Sequence, residues 1–152
     1  MAASAYDLVA SCFAAIESKD LAAVLSYFAD DAVLIDPHYP NPHMVGKPAI
    51  AEGLAWAFAT LERLNFRIVN FFAAEDGHSI AIETATAHML PGGRSVRLTQ
   101  IFVIVIRDGL VVRLQAYTPY GPNGLAALLL GLMRLWRRLT RSRRSPPKSV
   151  EP

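Results

Sequence analysis

The sequence predicts a single α+β domain in which helices come first and an antiparallel sheet follows. Apolar residues recur at helical spacing up to about residue 64, and the period changes to two from Asn65 onward. The strand-like segments are joined by short stretches that are typical of hairpin turns. The 152 residues suffice for one ordinary domain, and the apolar fraction of 53% is enough to bury a core.

The N-terminal half contains three predicted helices and one short strand. Residues 5–17 place apolar side chains at spacings of three and four, which predicts an amphipathic helix. Asp20 fits the N-cap of a second helix over residues 20–28. An apolar strand over residues 32–35 follows, and a third helix over residues 47–64 has a proline in its first turn.

The segment between that strand and the third helix, residues 36–45, is predicted to be a loop. Its three prolines within six positions forbid a helix and limit ladder hydrogen bonding. After the third helix, glycine-containing turns separate four segments of alternating polarity, which predicts an antiparallel meander. These predicted strands are Phe66–Ala74, Ser79–Met89, Ser95–Arg107 and Leu110–Thr118.

A further helix is predicted after the break at residues 121–124. We expect an amphipathic helix over residues 123–141, with arginines crowding its C-terminal half, and a disordered tail over residues 142–152. The main domain is then residues 1–122. Two interpretations of the helix stay open: it packs on protein, which its apolar start favours, or it makes a peripheral contact with an anionic membrane.

Charge and composition exclude several functional classes. Seven of the 15 lysines and arginines lie from Arg134 onward, whereas residues 1–133 contain eight bases and twelve acids. A body of this sign argues against a nucleic-acid-binding surface. The single cysteine, Cys12, excludes an internal disulfide framework. The N-terminus lacks the basic segment of a secretory signal, so we expect a cytoplasmic protein. Without a Walker-type loop or a dinucleotide fingerprint, no cofactor is predicted.

Three stretches carry a resemblance to a known family: residues 20–37, 46–50 and 107–117. With the order of elements, they make residues 5–120 similar to the nuclear transport factor 2-like superfamily, in its ketosteroid isomerase and SnoaL-like branch. The resemblance implies a cone-shaped, cystatin-like α+β fold whose curved sheet wraps around the N-terminal helices. It also implies a homodimer through the outer sheet face. Because this superfamily includes isomerases, cyclases, dehydratases, epoxide hydrolases and non-enzymes, the reaction stays open.

Asp36 is the main candidate for catalysis. It falls where the resemblance places the catalytic aspartate of the isomerases, at the end of the first strand and before Pro37. The implied role is that of a general base that removes a proton next to a carbonyl, and an apolar pocket makes a carboxylate a stronger base. The alternative is a structural aspartate that opens a turn, since Asp-Pro commonly does so.

The sequence departs from the isomerases where they stabilise the oxyanion. The resemblance implies a tyrosine on the first helix and a protonated aspartic acid on the third meander strand. Here the first position falls on Cys12 or Phe13, and the second on Phe102 or Val103. None of these side chains is a strong donor, so the familiar isomerase arrangement is not expected.

Strand alternation, oriented by the resemblance, predicts which side chains face the pocket. Glu83 is predicted to face inward, where a second carboxyl opposite Asp36 would separate acid and base roles. The alternative is a glutamate on a solvated face. His88, Gln115 and Tyr117 are then predicted on the outer face, at the dimer interface. The predicted ligand-contacting residues are Gln100, Phe102, Tyr39, His38, Leu114, Ala116, Thr118 and Trp56.

These features predict a small-molecule enzyme that performs acid/base proton transfer on an apolar organic substrate. The reaction would be an isomerisation, or a related cyclisation, dehydration or epoxide opening. The alternative is a non-catalytic ligand-binding or dimerisation module of the same fold. No metal site is predicted, because Asp36, His38 and His43 lack a dedicated further ligand. Cys12 is interpreted as a buried hydrophobe rather than as a nucleophile.

Overall fold

A computed structural model describes residues 4–119, together with Leu132 and Leu135. Three helices precede most of a six-stranded curved sheet. The elements are α1 (Ala5–Glu17), α2 (Leu21–Ser26), β1 (Phe28–Ile35), β2 (His43–Val45), α3 (Gly46–Thr60), β3 (Phe66–Ala73), β4 (Ser79–Leu90), β5 (Arg94–Arg107) and β6 (Leu110–Tyr117). The predicted α+β class and the four-stranded meander are thereby confirmed.

The sheet has the strand order β2-β1-β6-β5-β4-β3. All neighbouring strands are antiparallel except β1 and β6, which run parallel. The longest ladder joins β4 to β5 across the hairpin turn at residues 91–93. The parallel contact brings the C-terminal end of β1, where Asp36 follows, beside the inner face of the meander.

The first two helices begin at side-chain caps that the sequence supplies. Ser4 and Asp7 form a capping box at the start of α1, and the Asp20 side chain accepts a hydrogen bond from the Ala23 amide (2.9 Å) at the start of α2. The apolar face of α1 is buried, and the Phe13 ring contacts Phe102 of β5 edge to face at 5.4 Å between centroids. Helix α1 therefore packs on the inner face of the sheet.

Helix α3 ends at Thr60, four residues earlier than predicted. The Lys19 ammonium donates to the backbone carbonyls of Phe58 (2.8 Å) and Leu61, which would otherwise lack partners at the helix end. Leu64 is buried in the segment after the helix. The apolar pattern continues past the last helical turn because Leu64, in the segment that leads to β3, also packs in the core.

Two bounds of the first strands also differ from the prediction. Strand β1 begins at Phe28 rather than Ala32, because a register shift between Phe28 and Val33 accommodates the exposed Asp30 and Asp31. The end of the predicted loop forms β2, which pairs with the end of β1.

The core lies between the helices and one face of the sheet. Its largest fully buried side chains come from both layers: Phe28, Met44, Ile50, Leu54, Ile82 and Ile104. None of the described helices is long and apolar enough to cross a membrane. The predicted helix over residues 123–141 and the predicted tail lie outside the described residues, apart from Leu132 and Leu135, which are both helical.

Candidate active site

A cavity of about 190 Å³ lies between the helices, the loop after β1 and the inner face of the sheet. An apolar cavity of roughly 150 Å³ suffices to hold benzene, so this one can hold a compound with a single ring. Most lining side chains are apolar: Phe13, Ile16, Leu34, Leu54, Trp56, Ala57, Leu61, Leu64, Phe66, Val96, Leu98, Phe102 and Leu114. The polar or titratable lining side chains are Asp36, His38, Tyr39, His88 and Gln100.

Asp36 follows the last residue of β1 and is only 8% exposed. Its Oδ1 accepts hydrogen bonds from the His38 amide (2.9 Å) and from His38 Nδ1 (2.8 Å). Because an ionised carboxylate can only accept, His38 Nδ1 carries the proton of the second bond. Oδ2 accepts no hydrogen bond from the residues that the structure describes. Oδ2 therefore keeps its capacity to accept a hydrogen bond or a proton from a ligand.

Gln100 projects from the middle of β5 and is 3% exposed. Its Oε1 accepts from the Thr86 hydroxyl (3.1 Å), and Thr86 in turn contacts the Thr84 hydroxyl (3.2 Å). This leaves Gln100 Nε2 on the side of His38, 3.4 Å from Nδ1. Since that nitrogen already donates to Asp36, it cannot accept from Gln100, and the amide N–H groups stay available to a ligand.

We expect Thr86→Val to destabilise the protein by about 1–3 kcal/mol, because it leaves the buried Gln100 Oε1 without a donor. Thr86→Ser, which retains the hydroxyl, is the matched control. Urea unfolding of the three proteins measures the difference. Equal stability of the valine and serine variants would show that the hydroxyl does not hold the amide.

His88 lies in the cavity, so the prediction that it faces outward is wrong. Its Nδ1 accepts a hydrogen bond from the Asn65 amide (3.3 Å), and its ring meets Phe66 edge to face at 5.0 Å between centroids. Burial lowers the pKa of His88, the nearby His38 lowers it further, and the Asp36 carboxylate acts in the opposite direction. With Nδ1 as the acceptor of this hydrogen bond, a neutral His88 ring carries its proton on Nε2.

This lowered pKa predicts that stability falls as the pH drops below 6.5, the ordinary value for histidine. In that range the unfolded chain binds a proton at residue 88 more readily than the folded chain does, so protonation favours unfolding. Urea midpoints at pH 7.5 and 5.5 should differ more for the wild type than for His88→Asn. The control His43→Asn removes a histidine outside the cavity and should keep the wild-type difference.

Glu83 points away from the cavity, so its predicted inward orientation is also wrong. The buried face of β4 carries Ile80, Ile82, Thr84 and Thr86, and Glu83 lies on the other face, where it accepts from the Asn70 amide (2.7 Å). Burying the two isoleucines decides which face points inward, and the threonine hydroxyls find partners there. Glu83 therefore cannot supply the second pocket carboxyl.

Tyr39 lines the cavity and lies near enough to Asp36 for the carboxylate to act on its phenol. Burial, and secondarily the Asp36 carboxylate, raise the pKa of the phenol, so the hydroxyl stays protonated. No described residue accepts a hydrogen bond from it. The ring packs against Trp56 of α3 at 5.9 Å between centroids.

Gly53 of α3 allows this close approach of the loop to the helix. A Cβ at this position would collide with the Met44 side chain and lie 3.3 Å from the Tyr39 ring. Met44 is fully buried and has little room to move. A glycine in the middle of a helix, normally unfavourable, is thus explained by packing.

We expect Gly53→Ala to destabilise the protein by about 1 kcal/mol, because the overpacking exceeds the gain in helix propensity. Ala55→Gly, at an exposed position of the same helix, measures the propensity alone. Thermal or urea unfolding gives both values. The packing argument fails if Gly53→Ala stabilises the protein by as much as Ala55→Gly destabilises it.

The two positions where the resemblance implied oxyanion donors are apolar. Phe13 and Phe102 both line the cavity and contact each other. Burial raises the pKa of the Cys12 thiol to about 12, which agrees with a buried hydrophobe rather than a nucleophile. An oxyanion in this cavity would have to be stabilised by the loop and by β4 and β5.

The remaining predicted residues take the following places. Leu114 lines the cavity, Ala116 is buried in the core, and Thr118 follows the end of β6. Trp56 lines the cavity while 41% exposed, and Tyr117 lies on the outer side at 49% exposed. Their roles in ligand binding, and the dimer through the outer face, stay predictions.

Comparison with known families agrees with this architecture. A SnoaL-like domain profile matches residues 9–114. The chain belongs to the SnoaL-like domain family. This places it in the SnoaL-like branch of the nuclear transport factor 2-like superfamily, as the sequence predicted. Among curated proteins, none matches the chain significantly by sequence.

Solved structures of several bacterial proteins are similar in fold. A candidate polyketide cyclase from Pseudomonas putida has a TM-score of 0.66 at 19% identity, covering 82% of this chain and 97% of its own. A Mycobacterium tuberculosis protein in complex with estradiol-17β-hemisuccinate has a TM-score of 0.66 at 20% identity, covering 74% and 92%. A Catenulispora acidiphila protein of ketosteroid isomerase-like fold, in complex with trimethylamine, has a TM-score of 0.66 at 21% identity, covering 76% and 86%.

Proposed function

We propose that this SnoaL-like protein is an enzyme that transfers a proton within a small, mostly apolar carbonyl compound, with Asp36 as the general base. One observation carries the proposal: a nearly buried carboxylate lies in an apolar cavity with one oxygen held by His38 and the other available. Isomerisation is the simplest outcome, and cyclisation or elimination begins with the same proton removal.

The composition of the cavity supports a ligand of this class. Its walls are largely aromatic and aliphatic, and its volume suits a single ring. The polar groups are few and include the donors Gln100 Nε2–H and Tyr39 O–H, which suit a carbonyl oxygen. The estradiol-17β-hemisuccinate bound to the similar Mycobacterium tuberculosis protein, and the candidate cyclase activity of the Pseudomonas putida protein, support a small organic substrate.

The proposed reaction proceeds in two proton transfers. Asp36 Oδ2 takes a proton from the carbon next to the carbonyl. The electron pair of that C–H bond forms a C=C bond to the carbonyl carbon, and the C=O π pair moves onto the oxygen to give an enolate. Gln100 and Tyr39 donate hydrogen bonds to this oxygen, where the negative charge develops. Asp36 then returns the proton to a carbon of the enolate, which restores the carbonyl and the carboxylate.

His38 has a positioning role in this scheme. Its amide and ring N–H both bind Oδ1, so they orient the carboxylate and leave Oδ2 toward the ligand. The proline-containing segment after Asp36 keeps these donors in place, since the Asp36 amide also donates to the Pro42 carbonyl (2.9 Å).

Deuterium exchange tests the proposal. In D₂O, the protein should accelerate exchange of the acidic C–H protons of 2-cyclohexen-1-one, a one-ring ketone, and the rate should saturate with ketone concentration. Proton NMR measures the loss of the C–H signals against a buffer blank. Exchange no faster than the blank, at ketone concentrations where NMR shows that the compound is bound, would contradict catalysis.

A second candidate function is non-catalytic binding of a small ligand. It is favoured by the two hydrogen bonds at Oδ1, which also satisfy a purely structural aspartate that stabilises the loop. This function predicts saturable binding of the ketone without exchange, and Asp36→Asn would then leave the ketone affinity within about two-fold of the wild type.

A further inference from the structure

Among the described residues that line the cavity, His88 is the polar side chain that the proposed reaction leaves unused. It lies on β4, on the same buried face as Thr84 and Thr86, which hold Gln100. Its ring nitrogen Nδ1 is already an acceptor, because the Asn65 amide donates to it at 3.3 Å. A neutral imidazole has one donor and one acceptor nitrogen, so its Nε2 must carry the proton.

We infer that His88 Nε2–H is a neutral donor for the carbonyl oxygen of the bound ligand, and that it acts together with Gln100 as the acceptor-binding side of the cavity. This inference rests on the proposed function only in taking the ligand to be a carbonyl compound. It adds a residue that replaces the donors missing at Phe13 and Phe102.

The backbone contact explains why this histidine stays a donor without becoming a cation. Protonation of Nδ1 would place one N–H group against the Asn65 N–H, and both are donors. The Phe66 ring packs edge to face on the imidazole and restricts its rotation. Burial acts in the same direction by lowering the pKa of His88.

A neutral His88 is also a better donor to the enolate oxygen than a protonated His88 would be, because Asp36 lies nearby. A protonated His88 would attract the Asp36 carboxylate, whose charge acts on it across the cavity. That attraction would stabilise the carboxylate and weaken it as a base. A neutral N–H group stabilises the developing oxyanion without this effect.

Two amide variants separate the ligand contact from the structural contact. His88→Asn retains an acceptor near the position of Nδ1 for the Asn65 amide, but it has no donor at the ε position. His88→Gln places an amide N–H near the position of Nε2. The probes are 2-cyclohexen-1-one and cyclohexene, which share a ring but differ in the oxygen, and NMR titration measures both affinities.

We expect the wild type to prefer the ketone over the hydrocarbon. His88→Asn should weaken ketone binding by roughly 2- to 10-fold, the range for one neutral hydrogen bond, with less effect on cyclohexene. His88→Gln should retain most of the ketone preference. Nitrogen-15 spectra of the ligand-free protein at pH 7 should show the proton on Nε2, and that resonance should shift when the ketone binds.

Three results would overturn the inference: a His88 proton on Nδ1, no ketone preference in the wild type, or an unchanged preference in His88→Asn. Failure of the proposed catalysis gives a different pattern. If the ketone preference depends on His88 as described but the wild type exchanges no deuterium, the donor assignment holds and the catalytic role of Asp36 is wrong.

Discussion

Replacing Asp36 with asparagine is expected to slow deuterium exchange into the ketone by about 10²–10⁴-fold, the usual contribution of a positioned general base. The amide of asparagine cannot take up the proton that Oδ2 removes. Its carbonyl oxygen can still accept from the His38 amide and from His38 Nδ1, the two bonds that Oδ1 makes now. The loop should therefore stay in place, and the loss should appear in kcat more than in ketone affinity.

A control substitution at another aspartate distinguishes the loss of the general base from the loss of one negative charge. Asp31 lies on β1, the strand that precedes Asp36, is exposed and does not line the cavity. Asp31→Asn removes the same charge and should exchange deuterium at the wild-type rate. If Asp36→Asn also retains that rate, proton removal by Asp36 is excluded and the ligand-binding function becomes the better explanation.

Truncating Phe102 to alanine is expected to cost about 3–5 kcal/mol of unfolding free energy, the range for a large aromatic side chain in a core. Phe102 is 4% exposed and contacts Phe13 of α1 and Phe66 of β3 through its ring. It therefore joins the first helix to two strands of the sheet. Urea unfolding monitored by circular dichroism measures the loss.

The neighbouring Ile101 provides the control for this substitution. It precedes Phe102 on β5, faces outward and is 46% exposed, so Ile101→Ala should cost far less than Phe102→Ala. Phe102→Ala should also enlarge the cavity and admit ligands bulkier than a single ring. Equal stability losses at the two positions would contradict the assignment of Phe102 to the core and the cavity wall.

The sequence was sufficient to predict the order of the elements and the candidate base. Helical and strand periods differ enough to separate the two halves, and the hairpin turns mark the meander. Asp36 could be singled out because it falls where the resemblance places the catalytic aspartate of the isomerases, and it lines the cavity. Gln100, Phe102 and Leu114 were predicted inward and line the same cavity.

Strand β4 shows where this reasoning was wrong. Alternation separates Glu83 from Thr84, Thr86 and His88, but it does not say which set faces the core. The prediction followed the resemblance and placed Glu83 inward. Ile80 and Ile82 share the parity of the threonines. Their large apolar side chains, which the structure buries, were the sequence signal that could have corrected the prediction. His88 was therefore missed as a cavity residue.

By itself, the sequence determined the class of fold, the family and an acidic residue at the end of the first strand, because these depend on local periods, turns and a contiguous motif. Only the tertiary structure decided which partners surround that acid. The Asn65 amide determines which His88 nitrogen carries the proton, and the Thr86 hydroxyl orients the Gln100 amide. Burial and the nearby Asp36 carboxylate keep the Tyr39 hydroxyl protonated. Hydrogen-bonding geometry and burial at those contacts, rather than residue type, determine what each side chain can donate to a ligand.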